Sequence, residues 1–456
     1  MSKADCKGLS LFYRKWIKTM DSQLSSSLSD DKASYRKIAR RLVPFLFVCY
    51  VFAYLDRINI GFAKLQMLNS LGINEAAYGA AAGIFFLGYV VCEIPSNLLM
   101  VKVGARSTFS RIMLLWGAVS MGMALIEDRY SLYVLRFLLG VFEAGLAPGI
   151  VLYLTYWFGP RQLGKVMTIF MSSAALAGAI GGPLSSYIMV SLNGVGGLEG
   201  WKWMFILEGA PTVLLGFLAM FVISDKPDDA NWLSDSEKRM VRESVSESVK
   251  GANHFARSAF ADPRVFAMSA CYFGLICGIY AITFWLPSII KSAGETDTLK
   301  IGLYSAVPYL LAMVSMIMIG RSSDARKERV RHSAYPALLA AALLGGVIYF
   351  HGNFLLSMTA ISMATACIYA SYSVFWTIPS EYFGRAAAPG GIALVNTIGL
   401  LGGWVSPSAI GFIKQSSGSL SLALLTLAAT LAIAAVGILL LGIVLRPDAR
   451  EVMTDL

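Results

Sequence analysis

The sequence predicts an all-α polytopic membrane protein with twelve transmembrane helices in two halves of six. Three observations carry that prediction. Hydrophobic residues make up 56% of the 456 and charged residues only 14%, with a mean hydropathy of +0.63; no soluble core could hide so much apolar surface. The apolar residues gather into runs of about 20, the length that crosses a hydrocarbon core. The basic residues gather in alternate loops, which is a topology signal.

Six runs lie in the first half, roughly at 43–64, 78–100, 107–126, 130–157, 164–190 and 202–223, each near span length. After a polar stretch come six more, roughly at 264–290, 301–320, 334–351, 354–379, 388–414 and 419–445. Six plus six around one long polar loop is the pattern of a transporter built from two related halves. The division predicts a tail over 1–41, a six-helix half over 42–224, a linker over 225–262, a second six-helix half over 263–446 and a tail over 447–456. In the linker, Ser234 and Glu237 have capping-box spacing and open a short amphipathic helix around Lys238 to Val245. The linker is otherwise read as solvated.

Lys102, Arg106, Arg161, Lys165, Arg321, Arg326, Lys327, Arg329, Arg331 and Arg385 fall on one side, shared with Arg36, Lys37, Arg40, Arg41 and Arg446. Both tails and the linker are therefore expected on the cytoplasmic side of a plasma membrane, a bacterial inner membrane. The net charge of +10 is spent on this asymmetry, so no nucleic-acid partner is expected. The six cysteines show no metal or redox spacing. No cleavable signal peptide is read in the polar start, so the first span stays. No nucleophile, histidine pair or cofactor motif points to an enzyme. Glycines cluster in spans and let helices approach closely; Ala147-Pro148-Gly149 and Gly182-Pro183 are expected kinks.

The ionisable residues within spans are Asp56, Arg57, Glu93, Arg136, Glu143 and Glu208, all in the first half. Such residues mark function by default. At about 1.5 Å per residue, Asp56 and Arg57 lie roughly 20 Å from the cytoplasmic edge and Arg136 roughly 9 Å below the outer edge, the same level of a ~30 Å core. Glu143 follows Arg136 by two turns on the same face. Spans one and four are thus expected to bring two arginines and two carboxylates to one cavity. Arginine offers a planar fork to a carboxylate, and a carboxylate in a dry site can load a proton. Arg57 and Arg136 are read as anion binders, and Asp56 and Glu143 as proton carriers. Glu93 and Glu208 are read as equally suited to holding helix ends or contacts between the halves and to touching substrate. Asn396, Tyr54, Tyr89, Trp285 and Trp376 are read as lining the pocket, where amides bond oxygens and aromatic faces suit rings.

Tyr54-Leu55-Asp56-Arg57-Ile58-Asn59-Ile60-Gly61 resembles a motif of the major facilitator superfamily, specifically its anion:cation symporter family. Glu93-Ile94-Pro95-Ser96-Asn97, Val103-Gly104-Ala105-Arg106, Leu135-Arg136 with Glu143-Ala144-Gly145, and Leu207-Glu208-Gly209 extend the likeness from about Arg40 to Arg446. The chain resembles bacterial permeases for 4-hydroxyphenylacetate, phthalate and tartrate. That resemblance implies the family's fold, anion recognition by Arg57 and Arg136, proton coupling through Asp56 and Glu143, and substrate contact by Asn396. Lys102 stands where the wider superfamily carries an aspartate. The expected activity is proton-coupled import of an organic carboxylate by alternating access, with an aromatic acid ahead of tartrate, glucarate or hexuronate. A transporter-like sensor is the remote alternative. No cofactor is expected; the proton gradient drives transport, with sodium open as coupling ion. The expected partners are a small organic anion, protons and the lipid bilayer, and the expected working unit is a monomer.

Overall fold

A computed structural model describes residues 29–249, 262–347, 349–350 and 353–445. Most of the N-terminal tail, the tail after Leu445 and the later linker lie outside the described residues, as does Arg446. The described chain is a helical bundle. Its first helices are α1 (Ser29–Ser70), α2 (Glu75–Val103), α3 (Ala105–Gly122), α4 (Arg129–Glu143), α5 (Leu146–Trp157), α6 (Pro160–Ser191) and α7 (Gly200–Val222). After α8 (Asp235–Val249) come α9 (Pro263–Ser292), α10 (Thr298–Arg326), α11 (Val330–Gly346), α12 (Phe354–Phe375), α13 (Thr377–Ser417) and α14 (Leu420–Val444).

Among the described residues, 11 helices are long and apolar enough to cross a membrane. They match eleven of the expected runs. The run expected at 334–351 appears as α11, which at 17 residues extends about 25 Å at 1.5 Å per residue. Its sequence carries Pro336 and ends in Gly345-Gly346, residues that shorten a helix.

Local chemistry sets the joints. Asn74 caps α2 by accepting from the Ala77 amide at 2.8 Å, and Asp128 caps α4 from Ser131 at 2.7 Å. Asp297, Asn353 and Ser419 do the same for α10, α12 and α14, each supplying an acceptor to an orphan amide. The fourth span breaks at Gly145, whose φ is +90°. Pro148, expected to kink it, instead sits in the first turn of α5, where its missing N–H costs no hydrogen bond. Glu143 is the last residue before the break.

The linker is not merely solvated. The capping box forms: the Ser234 amide donates to Glu237 at 2.8 Å and the Glu237 amide to Ser234 Oγ at 3.3 Å. α8 then docks beneath the start of α1, with Tyr35 donating to Ser244 at 2.6 Å and Lys37 paired to Glu237 at 2.9 Å. Trp232 stacks on Trp157 of α5 at 5.6 Å.

The first and second sets of helices meet through α2 on α13, α6 on α10 and α1 on α9. Their tightest approaches lie at the end of the bundle away from α8. A Cβ on Gly79 would stand 2.4 Å from the Pro407 carbonyl, and one on Gly182 would stand 1.9 Å from Ser305 Oγ. There Tyr78 also donates to the Phe284 carbonyl at 2.8 Å. Only glycine admits such contact.

Candidate functional site at the seam between the two sets of helices

Arg57 crosses from α1 toward the second set. Its Nη2 forms an ion pair with Glu143 Oε1 of α4, and its Nη1 donates to the Tyr280 hydroxyl of α9 at 3.1 Å. The guanidinium carbon lies 5.4 Å from the ring centres of Phe85 and Tyr89 and 5.9 Å from that of Tyr54. Aromatic faces attract a cation most where water is excluded, and Arg57 is 6% exposed. Its Nε and Glu143 Oε2 are buried without a partner. A charge pair so buried persists only with good geometry and further hydrogen bonds.

The α4 helix reaches this place because Gly140 lets it lie on α2: a Cβ there would stand 1.9 Å from the Phe85 carbonyl. The same closeness lets Arg136 Nε donate to the Ala81 carbonyl at 3.3 Å. Arg136 is 0% exposed, and its guanidinium carbon lies 5.1 Å from the Phe85 ring centre. Both arginines therefore pack on one phenylalanine. Arg136 Nη1 and Nη2 have no partner, an expensive state for buried donors.

Tyrosines carry the seam further. The Tyr54 and Tyr369 hydroxyls share a hydrogen bond at 3.2 Å between α1 and α12. One turn from Tyr89, Glu93 Oε1 accepts from Asn396 Nδ2 at 3.1 Å, joining α2 to α13. Glu93 Oε2 is buried and unpartnered. Glu93 therefore makes a contact between the two sets of helices, one of the roles expected of it.

Three expected residues lie elsewhere. Asp56 turns into the first set of helices, where it accepts from Ser120 at 2.8 Å and Thr212 at 3.3 Å. Neighbours on a helix point about 100° apart, so Asp56 and Arg57 cannot share a face. Trp376 packs on Tyr272 at 4.7 Å, among Tyr372 and Phe375 within the second set. Trp285 is 0% exposed at the closed end, with Lys64 Nζ 3.6 Å above its ring; it does not line the place beside Arg57.

Lys64 escaped sequence reasoning because it stands at the edge of the first apolar run. It donates to Ser288 at 2.9 Å and pairs with Glu75 at 2.6 Å, while Lys414 of α13 also holds Glu75. Its spacing from Arg57, two turns on one face, was the available signal. Tyr369 had none beyond its place in an apolar run.

The sequence model of the Major Facilitator Superfamily matches residues 46–407. The chain belongs to this superfamily. A protein of Agrobacterium vitis named "Putative tartrate transporter" is 41% identical over 89% of this chain and 91% of its own length. A "Quinolone resistance transporter" of Acinetobacter baumannii is 37% identical over 86% of this chain and 91% of its own. The fold matches an inward-facing bacterial homologue of the human lysosomal transporter Spinster with a TM-score of 0.74, covering 90% of this chain and 97% of that one at 15% identity. The superfamily member is a multi-pass membrane transporter, not an enzyme.

Proposed function

We propose that this transporter is a proton-coupled symporter that imports an organic carboxylate by alternating access. The observation that carries the reading is the buried Arg57–Glu143 pair at the seam, with Tyr280 on the opposite set of helices. A substrate carboxylate and Glu143 compete for one guanidinium. When substrate takes Arg57, Glu143 is left as a buried unpaired carboxylate, which is costly unless it binds a proton. Anion and proton thus favour each other's binding. Arg136, with two unpartnered nitrogens, supplies the second positive charge. Asn396, Tyr54 and Tyr89 shape the pocket, and Asp56 carries a proton from within the first set of helices. Trp285 serves the closed end instead. Charge asymmetry places both termini in the cytoplasm, the setting is a bacterial inner membrane, and the monomer is the working unit.

A hydroxylated dicarboxylate such as tartrate is the best-supported substrate. The Tyr280 hydroxyl accepts from Arg57, and the Tyr54 and Tyr369 hydroxyls pair with each other across the same seam; such groups suit hydroxyls, and the Agrobacterium relative carries that name. The ring faces of Phe85 and Tyr89 favour the second reading, an aromatic acid such as phthalate or hydroxyphenylacetate.

Uptake of labelled tartrate, glucarate, phthalate and 4-hydroxyphenylacetate into proteoliposomes tests both points. Accumulation should follow an inward proton gradient, collapse with a protonophore, and ignore sodium. Uptake indifferent to the proton gradient overturns the coupling, and uptake of aromatic acids alone overturns the tartrate preference.

A further inference from the structure

The surroundings of Arg57 leave one buried acceptor unexplained. Along α2, groups spaced one turn apart meet the seam in order. The Ala81 carbonyl accepts from Arg136, the Phe85 ring lies against both arginines, and the Tyr89 ring lies against Arg57. Glu93 comes next on that line. It is 6% exposed, and its Oε1 accepts from Asn396 Nδ2 of α13 at 3.1 Å. Its Oε2 is buried with no hydrogen-bond partner among the described residues. Asn97, one turn further, donates to the Glu93 backbone carbonyl at 2.9 Å instead.

A carboxylate accepts at both oxygens, and a buried acceptor left unpaired is expensive. The Arg57 guanidinium is the charged group that acts on Glu93, but its Nη1 and Nη2 are given to Tyr280 and Glu143. Positive charge is thus already at hand, and the partner lacking at Oε2 is a hydrogen-bond donor. A second carboxylate offers no donor and is repelled by Glu93. A hydroxyl offers one and brings no charge.

We infer that Glu93 is a specificity-determining residue that accepts a hydrogen bond from a substrate hydroxyl, so that the seam selects hydroxy acids over their deoxy analogues. The inference rests on the carboxylate reading of Arg57 and adds the group that reads the rest of the substrate. The carboxylate goes to Arg57 and the hydroxyl to Glu93, one turn past Tyr89 along α2. Asn396 holds the other Glu93 oxygen from the opposite set of helices, so the hydroxyl is read where the two sets meet.

The test measures equilibrium binding to the full chain in nanodiscs, using pairs of acids that differ only in hydroxyls: tartrate and succinate, glucarate and adipate, 4-hydroxyphenylacetate and phenylacetate. The wild type should bind the hydroxylated member of at least one pair roughly tenfold tighter or more, since a site built for a hydroxyl rejects the analogue without it. Glu93→Gln keeps an oxygen for Asn396 but replaces the second oxygen with a donor. It should weaken the hydroxylated acid roughly 10- to 100-fold and leave the deoxy acid unchanged or tighter. Glu93→Asp, which keeps the charge but draws both oxygens back, should lose part of the preference and serves if Glu93→Gln does not fold. The inference is overturned if the wild type binds both members of every pair alike, or if the preference survives in either folded variant. It is also overturned if both members weaken in parallel, the mark of a contact between helices alone. Binding of none of these acids removes the carboxylate reading and this inference with it; binding with a preference that Glu93 does not move removes this inference alone.

Discussion

Arg57 is the residue on which binding and coupling converge, and its partners set the expected phenotypes. A lysine offers one point charge where Arg57 reaches Glu143 and Tyr280 at once. Arg57→Lys should weaken substrate affinity about 10- to 100-fold, the loss of one charge-assisted hydrogen bond worth roughly 1.5–3 kcal/mol; equilibrium binding of labelled substrate checks it, and wild-type affinity would remove the bidentate contact. Glu143→Gln keeps a hydrogen-bond acceptor for Arg57 but cannot cycle a proton. That variant should bind and exchange substrate yet fail to concentrate it under an imposed pH gradient. Continued gradient-driven accumulation would move the proton-carrying role to another residue.

Elements place those residues, and two of them make separate predictions. The break after Glu143 depends on Gly145 at φ +90°, where a Cβ costs about 1–2 kcal/mol and would also stand 2.5 Å from Ser96 Oγ. Gly145→Ala should lower Tm, and adding Ser96→Ala should recover little of the loss, because the Ser96 Cβ that alanine keeps would still stand 2.7 Å from the new Cβ. The docked helix α8 adds a pH dependence. The Lys37 side chain, with help from the Ser234 amide, holds the Glu237 carboxyl below its ordinary value. A depressed carboxyl contributes its stability above the unfolded pKa of about 4.3 and loses it as pH falls through the folded value. Docking should therefore hold at neutral pH and loosen below roughly pH 4. Amide exchange in residues 235–249 reads this, and Lys37→Ala should move the loosening to higher pH.

The whole molecule is held shut at the end away from α8. Lys64 and Lys414, from opposite sets of helices, share Glu75, while Lys64 also spans to Ser288 and covers Trp285. Alternating access needs that contact to break, since α1 and α2 must part from α9 and α13. Glu75→Gln leaves two lysines facing each other without an anion, and like charges repel. That variant should speed labelling of a cysteine placed at Ser305, which is 0% exposed between α6 and α10, by an impermeant maleimide added to that face. Unchanged labelling would show that apolar packing, not this ion cluster, keeps the end closed.

Residue types and their periods determined the architecture. Apolar runs of span length, caps such as Asn74 and Asp128, and close-packing glycines such as Gly140 are local facts, because a membrane helix satisfies its own backbone. That spans one and four share a site was also legible, since depth along a helix is a count of residues, but that count set Arg57 level with Arg136, whereas its ion pair is with Glu143, two turns further along α4. Rotation around the helix axis was not legible. Asp56 and Arg57 read as one feature, yet the packing of α3, α6 and α7 turned Asp56 inward with Glu208, while the seam took Arg57. Trp285 read as pocket lining, yet Lys64, unremarked at a run's edge, claimed its ring. Glu93 and Asn396 are 303 residues apart, and no local pattern connects them. Depth follows from the chain alone; which face meets which neighbour is set by helix-on-helix packing, and only the tertiary structure decided it.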